Sequence, residues 1–457
     1  VFKKESLDRY LAEDRKFNKT LSAKDLISMG IGAVIGTGIF ILPGTIAALH
    51  SGPAITISFV IAALVCSTAA MCYAEFSSAL PIAGSAYSFG NVVFGEIVGW
   101  FLGWALILEY MLSVAAVSTG FSAYFNSLLA GFGIHLPKAI TGPFDPTNGT
   151  FINLPAVLIV LFISYVLSRG LRTSMTINSI VVVIKIAIII LFLLVGMFYV
   201  KPTNWDPFMP FGTKGVLVGA AQVFFAYLGF DVVASSAAEV KEPAKNMPRG
   251  IIGTLAICTL LYILVSIVLT GMISYTKLNV SDPVSFALYA VKQNWVAGII
   301  SVSALAGMFT MMVTMVYSSS RLIYSIGRDG LLPKFLGQIN EKTKTPEKSM
   351  LIVTVIIALT GGFFSLNQLT NLVNIGTLLA FMFVSLGVLP LRKRKDIPNK
   401  DGFKVPFYPV LPIISAILCA VMLAQLSLET WTAAFVWFAI GMVIYFSYGI
   451  KHSKINE

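Results

Sequence analysis

The sequence predicts an all-α integral membrane protein with about twelve transmembrane helices. Apolar residues make up 57 % of its 457 residues and charged residues only 12 %, whereas an ordinary soluble domain is about 25 % charged. Long apolar runs such as Ile180–Val200, in which Lys185 is the one charged residue, exceed the roughly 18 residues that indicate a membrane-spanning helix. These runs also exclude an outer-membrane barrel, whose strands alternate apolar and polar residues over about ten positions.

Hydropathy places twelve spans on the chain. A short surface helix is expected over 7–14, and another short helix is expected after Asp282 and Pro283. The spans, numbered in chain order, cover 26–49, 54–79, 92–125, 153–169, 176–200, 215–240, 250–274, 295–327, 349–365, 369–391, 407–428 and 431–450. We divide the chain into a cytoplasmic segment 1–25, two five-span units 26–200 and 201–391, and a final part 392–457 with a loop, spans 11 and 12 and a tail.

The distribution of basic residues predicts the orientation. With the N-terminus inside, 25 of the 32 lysines and arginines lie in cytoplasmic segments, 5 lie in outer loops and 2 lie within spans. Cytoplasmic loops of membrane proteins carry this excess of basic residues. We therefore expect a multi-pass protein of the cell (plasma or inner) membrane with both termini in the cytoplasm. The net charge of +11 then needs no nucleic-acid partner.

The sequence carries no sign of catalytic or metal chemistry. It contains no Walker A, H-E-x-x-H or G-x-S-x-G pattern, and its four cysteines lie inside apolar runs without Cys-x-x-Cys spacing. The three histidines lie at or beyond the ends of spans. We therefore expect neither an enzyme nor a metal site, and no cofactor.

Two spans contain sequence features that are typical of broken helices. Span 1 holds Gly30, Gly32, Gly36 and Gly38, and span 6 holds Gly229 near its middle. The two spans are five positions apart in chain order, and since five is odd, a repeat of spans 1–5 by spans 6–10 would be inverted in the membrane. Interrupted helices at matching positions of inverted halves indicate a secondary-transporter site. The ordinary alternative is that these glycines only allow close helix packing.

Four motifs resemble a known family. GIGAVIGTGIF at Gly30–Phe40 and the block Tyr73–Phe89 resemble the first and second spans of the amino acid–polyamine–organocation (APC) transporter superfamily. The block Phe224–Ile251 is similar to the sixth span of its cationic amino acid transporter (CAT) branch, and Arg321–Pro346 is similar to that branch's loop after span 8. Animal members have about two further C-terminal spans, so the chain resembles a bacterial relative.

The resemblance implies a fold and a function. The fold is LeuT-like, with ten core helices in two inverted halves of five, spans 1 and 6 broken, and spans 11 and 12 peripheral. The function is secondary active transport of L-amino acids, cationic or small neutral ones such as alanine, by proton-coupled symport. An exchanger, a sodium-coupled symporter and a non-transporting sensor remain open. The partners are the substrate and the lipid bilayer, and a small single-span subunit also stays open because lipid-facing surfaces carry little signal.

An amino acid needs donors for its carboxylate and acceptors for its ammonium group. A broken helix supplies both, because the helix ends on either side of the break have free N–H and C=O groups. Glycine also lets the backbone approach the ligand closely. We expect the carboxylate at Gly36, Thr37 and Gly38, and the ammonium near the carbonyls of Ile35, Phe225, Ala226 and Leu228.

Further side chains are candidates for selecting the substrate. Glu109 in span 3 and Asp231 in span 6 are ionisable residues inside the membrane, which are costly and are usually functional. By resemblance, Asp231 faces the substrate cavity. Phe225 is a candidate gate over the ligand and Met315 a candidate pocket residue. Structural ion pairing of the acids, and plain core packing of the other two, are the alternatives.

Lys185 is the candidate proton-coupling residue. It lies in VVVIKIAIIILF, too deep in span 5 to reach either membrane surface easily. Burial in apolar surroundings disfavours the charged ammonium form, so such a lysine can exchange a proton. By resemblance to proton-coupled members, the ammonium would contact carbonyls of span 1 around Gly32–Gly36. The alternative is a fixed charge with a permanent partner.

Overall fold

The computed structural model describes residues 2–14, 18–170 and 175–456. Within these ranges the regular elements are helices, accompanied by three isolated β-bridges. The α-helices are α1 Leu7–Asp14, α2 Ala23–Val34, α3 Thr37–Phe40, α4 Leu42–Ile46, α5 Ile55–Ala79, α6 Ser85–Val93, α7 Glu96–Gly131, α8 Leu154–Ser168, α9 Met175–Gly196, α10 Gly212–Val223, α11 Phe230–Ser235, α12 Pro243–Met272, α13 Pro283–Ala290, α14 Asn294–Arg328, α15 Glu347–Phe363, α16 Leu366–Lys393, α17 Val410–Ala424, α18 Leu428–Ile444 and α19 Ile450–His452.

The described helices confirm an all-α protein with a membrane character. Eight helical stretches are long and apolar enough to cross a membrane, and two shorter apolar helices, Leu154–Ser168 and Val410–Ala424, accompany them. The count of twelve spans stays a prediction. The short helices expected at 7–14 and after Asp282 are present as α1 and α13.

Local sequence explains several helix ends. Ser22 caps α2 and Ser365 caps α16, each through a capping box in which serine and the third helical residue exchange hydrogen bonds. The helix α12 begins seven residues before the predicted start of span 7, because Pro243 takes the first helical positions, where no N–H is needed. Pro248 inside that helix leaves the carbonyl of Ala244 free, and the Ser78 hydroxyl donates to it at 3.2 Å.

The long helix α7 runs through the centre of the bundle. It has 36 residues, most of them buried, and packs against α8, α14, α15 and α16. Small residues let its neighbours approach: a Cβ at Gly103 would lie 2.7 Å from the Tyr87 ring, and one at Gly120 would lie 2.9 Å from the Thr37 side chain. Such small-residue contacts are typical of helices packed inside membranes.

The helix α18 packs against α7 through tryptophans. The rings of Trp104 and Trp437 stack with centroids 4.5 Å apart. Each indole N–H donates to the other residue's carbonyl, at 2.8 and 3.2 Å. Trp437 lies in α18, so this largely exposed helix packs against α7 from the outside of the bundle.

Both ends of the described chain lie at one end of the bundle. The N–H of Glu96, at the start of α7, donates to the Lys3 carbonyl at 3.1 Å, and its carboxylate accepts from Ser453 at 2.8 Å. We call this end, at Glu96, the termini end. The helix α7 carries the chain from there to Gly131 at the opposite end, which we call the far end.

Candidate functional site

The helix of predicted span 1 is interrupted. The helix α2 ends at Val34, Ile35 is extended, and Gly36 is non-helical with φ −158° and ψ −129° before α3 begins at Thr37. The first N–H groups of a new helix have no partner within it. The break therefore presents backbone donors at Gly36–Gly38, where the sequence predicts the substrate carboxylate.

The helix of predicted span 6 is also interrupted. The helix α10 ends at Val223 and continues as a tighter 3₁₀ turn over Phe224–Tyr227, after which Leu228 is extended. Gly229 then adopts φ +123°, a conformation that side chains other than hydrogen rarely tolerate. The helix α11 starts at Phe230.

The two breaks pack directly on each other. A Cβ at Gly38 would lie 2.6 Å from the Ala226 Cα, and a Cβ at Gly229 would lie 2.9 Å from the Ala33 carbonyl group. Gly38, late in the first segment, thus meets Ala226, early in the second. Conversely, Gly229, late in the second segment, meets Ala33, early in the first. The two chain segments therefore run in opposite directions where they cross. Only glycine permits this approach, and the result is a compact site with backbone groups on both sides.

Lys185 reaches the span 1 break. Its buried ammonium donates to the carbonyls of Gly32 at 3.0 Å and Ile35 at 2.9 Å, inside the region where the sequence predicts this contact. The stem of the lysine lies against α14, since a Cβ at Gly307 would be 2.8 Å from the Lys185 Cε. The ammonium thus fills the space where α2, α9 and α14 meet.

Tyr262 of α12 joins the two breaks, and sequence reasoning missed it. Its buried hydroxyl lies 3.3 Å from the Val34 carbonyl and donates to the Ala226 carbonyl. Tyr227, whose ring centroid is 5.2 Å away, instead donates to Phe59 of α5 at 2.9 Å. A single tyrosine in an apolar run gives no sequence signal that separates the two roles.

The carbonyls predicted to receive the substrate ammonium are partly engaged. That of Ile35 accepts from Lys185, that of Ala226 accepts from Tyr262, and that of Phe225 accepts from the N–H of Leu228 at 3.2 Å. A carbonyl oxygen has two lone pairs, so each retains one position for a further donor.

Glu109 and Asp231 are neighbours in the interior. Both are 1 % exposed and their carboxyl groups interact directly. Tyr110, which the sequence did not single out, donates to Asp231 at 3.3 Å. Apart from this contact with each other, neither oxygen of Glu109 nor the second oxygen of Asp231 has a hydrogen-bond partner among the described residues. Two ionised carboxylates side by side repel each other strongly in a low-dielectric interior. The pair therefore needs a shared proton, a bound cation or a further hydrogen-bond donor.

The remaining predicted residues are buried in the same region. Phe225 is 3 % exposed in the turn that precedes the span 6 break. Met311 of α14 touches the span 1 break, because a Cβ at Gly36 would lie 2.5 Å from its sulfur. Met315 is buried one helical turn further along. Met311 therefore lines the break, although the sequence argument favoured Met315 within this methionine cluster.

In the described part of the chain, no group of three or more His, Cys, Asp or Glu side chains could hold a metal ion. The site consists instead of backbone ends, one ammonium, two carboxyl groups and apolar side chains. Such groups can bind a small zwitterion inside a membrane, and together with the apolar helices they are typical of a membrane transporter.

Comparisons with known proteins identify the family. The model of the amino acid permease family matches residues 21–447, so the chain belongs to that family within the APC superfamily. It is 50 % identical to the methylthioribose transporter of Bacillus subtilis and 47 % identical to the branched-chain amino acid permease BcaP of that species, over 100 % of this chain and 99 % of each relative. It is 28 % identical to a vacuolar cationic amino acid transporter of Arabidopsis thaliana, over 96 % of this chain and 93 % of the relative. The predicted resemblance is confirmed.

Proposed function

We propose that the protein is a proton-coupled symporter that moves L-amino acids across the cell membrane by alternating access, with branched-chain amino acids as main substrates. The carrying observation is the opposed crossing of two broken helices in a chain of the amino acid permease family. Free N–H groups at Gly36–Gly38 would bind the carboxylate, and carbonyls near Ala226 and Leu228 would bind the ammonium group.

The contacts of Lys185 support proton rather than sodium coupling. Its ammonium donates to two carbonyls of span 1 and its stem packs on Gly307 of α14. In related sodium-coupled transporters a cation lies between these two helices, so the lysine would take the place of that ion. Gain and loss of its proton would make and break the contact with the site. The coupling ion is then H⁺ and no cofactor takes part.

Relatives and pocket residues support an apolar substrate side chain. The proteins at 47 % and 40 % identity are branched-chain amino acid permeases, and Met311 presents its sulfur to the break at Gly36. The expectation of cationic substrates rests on the distant CAT relatives and on Glu109 and Asp231. We propose that these acids hold the ammonium end or a water network around it, and that cationic substrates are secondary.

A second substrate candidate follows from one specific observation. Both oxygens of Glu109 lack hydrogen-bond partners among the described residues, and a ribose ring offers hydroxyl donors to such acceptors. The relative that is 50 % identical transports methylthioribose, according to its name. A thioether sugar would place its methylthio group against Met311 and its hydroxyls against Glu109.

Uptake by the purified protein in liposomes tests the function. Radiolabelled leucine should accumulate when the outside is made acidic, and a sodium gradient at equal pH should have no effect. Valine and isoleucine should compete best, arginine and lysine less, and leucine with a blocked carboxylate not at all. If radiolabelled methylthioribose accumulates and leucine does not, the second candidate replaces the first.

Lys185→Ala tests the coupling. The variant should lose accumulation of leucine in response to pH. Exchange of internal for external leucine, measured separately, should persist, because the substrate site remains. Accumulation against a gradient by Lys185→Ala would contradict the assignment. Exchange without net uptake in the wild-type protein would indicate an exchanger, and binding without any flux would indicate a sensor.

We also propose that residues 26–200 and 201–391 form two inverted halves with both termini in the cytoplasm. The opposed direction of the two breaks supports the inversion. The shared location of both termini at the termini end supports a common side for them. Labelling of single cysteines introduced into the loops of intact cells tests the orientation.

A further inference from the structure

A cavity of about 370 Å³ lies at the termini end of the bundle, in the loop between α16 and α17. Two side chains of this loop hold it against neighbouring helices. Arg394 donates to the Val92 carbonyl in α6, and Asn399 donates at 3.0 Å to the Ser78 carbonyl near the end of α5. In the proposed orientation, this end of the bundle faces the cytoplasm.

The lining of this cavity carries an excess of positive charge. Among the described residues that line it, Glu75 is the one acid, and six residues are basic. The basic residues are Arg392, Lys393, Arg394, Lys395, Lys400 and Lys404. Like charges that share one small cavity repel each other. A bound anion would therefore be stabilised there.

The arginines of the lining are already paired, whereas the lysines are not. Arg392 donates to the two oxygens of Glu75 at 2.7 and 3.0 Å. Arg394 pairs with Asp396, which lies outside the lining together with Asp401. The four lysines are exposed, and none of them forms an ion pair with a described residue. The arginines thus fix the wall, and the lysines offer their ammonium groups to a ligand.

An apolar stripe on α17 begins beside the cavity. The guanidinium carbon of Arg392 lies 3.9 Å from the centroid of the Tyr408 ring, just before α17. Phe407 beside it is 81 % exposed, as is typical of aromatic residues at a membrane–water interface. Exposed apolar side chains then recur every three or four residues, at Val410, Ile414, Ile417 and Val421. This spacing places them on one face of the helix, which leads away from the basic cavity.

We propose that this cavity binds the headgroup of an anionic phospholipid of the cytoplasmic leaflet, whose acyl chains lie along the stripe on α17. A free phosphate would use the lysines alone, whereas a lipid uses both features of the surface. Basic pockets at the cytoplasmic side of membrane helices bind such headgroups. Four lysines can balance two phosphates, so cardiolipin should bind more tightly than phosphatidylglycerol, which has one phosphate. The assignment does not depend on the transported substrate.

Native mass spectrometry of the detergent-solubilised protein measures cardiolipin binding directly. Lys395→Gln together with Lys404→Gln removes two charges from the lining and keeps the side chains long. Lys342→Gln together with Lys348→Gln is the matched control, because these two exposed lysines lie around the start of α15, outside the cavity. Each basic residue near an anionic lipid contributes about fivefold in affinity, so the first variant should weaken cardiolipin binding about 25-fold, and the control should stay within about twofold.

Other ligands separate a lipid from a free phosphate. Wild type should bind cardiolipin most tightly, phosphatidylglycerol less tightly, and phosphatidylethanolamine, which has no net charge, most weakly. Pyrophosphate carries two phosphates without acyl chains, and it should not displace cardiolipin at equal concentration. Displacement by pyrophosphate would show that the cavity takes a free phosphate, and it would overturn the assignment to a lipid.

Two further outcomes would reject the site. One is an equal affinity for cardiolipin in wild type and in the Lys395 and Lys404 variant, and the other is an equal affinity of wild type for cardiolipin and phosphatidylethanolamine. The unfolding temperature is a second readout, because a ligand that binds the folded state stabilises it. Cardiolipin should raise it in wild type and in the control more than in the cavity variant. Should the cavity variant fail to fold, Lys393→Gln together with Lys400→Gln replaces it, and wild-type affinity there would again reject the site.

Discussion

The bridge made by Tyr262 can be tested against a matched tyrosine. Tyr262→Phe removes the hydroxyl that joins the Val34 and Ala226 carbonyls across the two breaks. Tyr227→Phe removes a hydroxyl of equal chemistry that bonds to Phe59 in α5. Both rings are buried and touch each other, so the two variants lose the same group in the same surroundings. Only the first loses a link between the breaks.

The size of the effect follows from the hydrogen bond. A buried hydrogen bond contributes about 0.5–1.5 kcal/mol, and a buried carbonyl left without a partner costs about 1–3 kcal/mol. We expect a loss of about 1–2 kcal/mol at the breaks, a factor of about 5–30 in an equilibrium constant. A substrate that contacts both breaks must restore their relative position when it binds. The loss should therefore appear in the affinity for substrate.

Leucine affinity and thermal stability together decide this prediction. Tyr262→Phe should raise the dissociation constant for leucine about 5–30-fold, measured by calorimetry on the solubilised protein, and Tyr227→Phe should change it less than threefold. Both variants should lower the unfolding temperature by similar amounts, which controls for general destabilisation. Equal affinities in the two variants would refute the role of Tyr262 as a link between the breaks.

Four further substitutions have expected outcomes. Gly38→Ala should abolish uptake, because its methyl would lie 2.6 Å from the facing backbone of span 6 and overpacking costs about 1–3 kcal/mol; uptake at the wild-type rate would contradict the tight crossing. Glu109→Gln and Asp231→Asn should reduce uptake of neutral and cationic amino acids alike, because both classes carry the ammonium end that these acids would hold, and unchanged uptake of both classes in both variants would argue against a substrate role. Arg392→Gln should lower the free energy of unfolding by about 3 kcal/mol, since it leaves the buried carboxylate of Glu75 without the two bonds at 2.7 and 3.0 Å; thermal unfolding measures this, and an unchanged midpoint would refute it.

The sequence predicts the positions where special backbone or charge chemistry is needed. Glycines within apolar runs indicate the breaks, because glycine destabilises a helix interior. Gly36 and Gly38 in span 1 and Gly229 in span 6 also lie at matching positions of the two predicted halves. An isolated ammonium at Lys185 stands out against its apolar neighbours for the same reason. Both signals depend on residue types that are costly in a membrane unless they have a specific use.

The sequence could not assign separate roles to residues whose type is ordinary in a membrane helix. The Tyr262 hydroxyl bonds across the two breaks, whereas the Tyr227 hydroxyl bonds to Phe59. Among the methionines of span 8 that the sequence offers as pocket residues, Met311 touches Gly36 and Met315 lies one helical turn further along. Their roles depend on how each helix is rotated against its neighbours, and this is fixed by tertiary packing rather than by composition. Hydropathy places the start of span 7 at residue 250, whereas α12 begins at Pro243; hydropathy alone does not register that proline suits a first helical turn.

Consecutive residues at the end of α2 contact three different parts of the bundle: the span 6 break, α12 and α9. Residues 33–35 contact Gly229 in the span 6 break, the Tyr262 hydroxyl and the Lys185 ammonium in turn. Because the three contacts share one short stretch of backbone, a movement of this stretch must change them together. Packed interfaces of this kind tend to have two discrete arrangements rather than a continuous range.

A single proton would supply a large part of the energy that such an element needs under the proposed coupling. A hydrogen bond from a charged group contributes about 1.5–3 kcal/mol, and one between neutral groups contributes about 0.5–1.5 kcal/mol. A neutral amine keeps two N–H donors, so deprotonation of Lys185 would weaken its two bonds to the span 1 carbonyls by about 1–1.5 kcal/mol each. Inverting a two-state population from 1:99 to 99:1 takes about 5.5 kcal/mol, so the proton would supply about half of this energy. The bound substrate would supply the rest, because Tyr262 connects the end of α2 to the span 6 break where the substrate would bind.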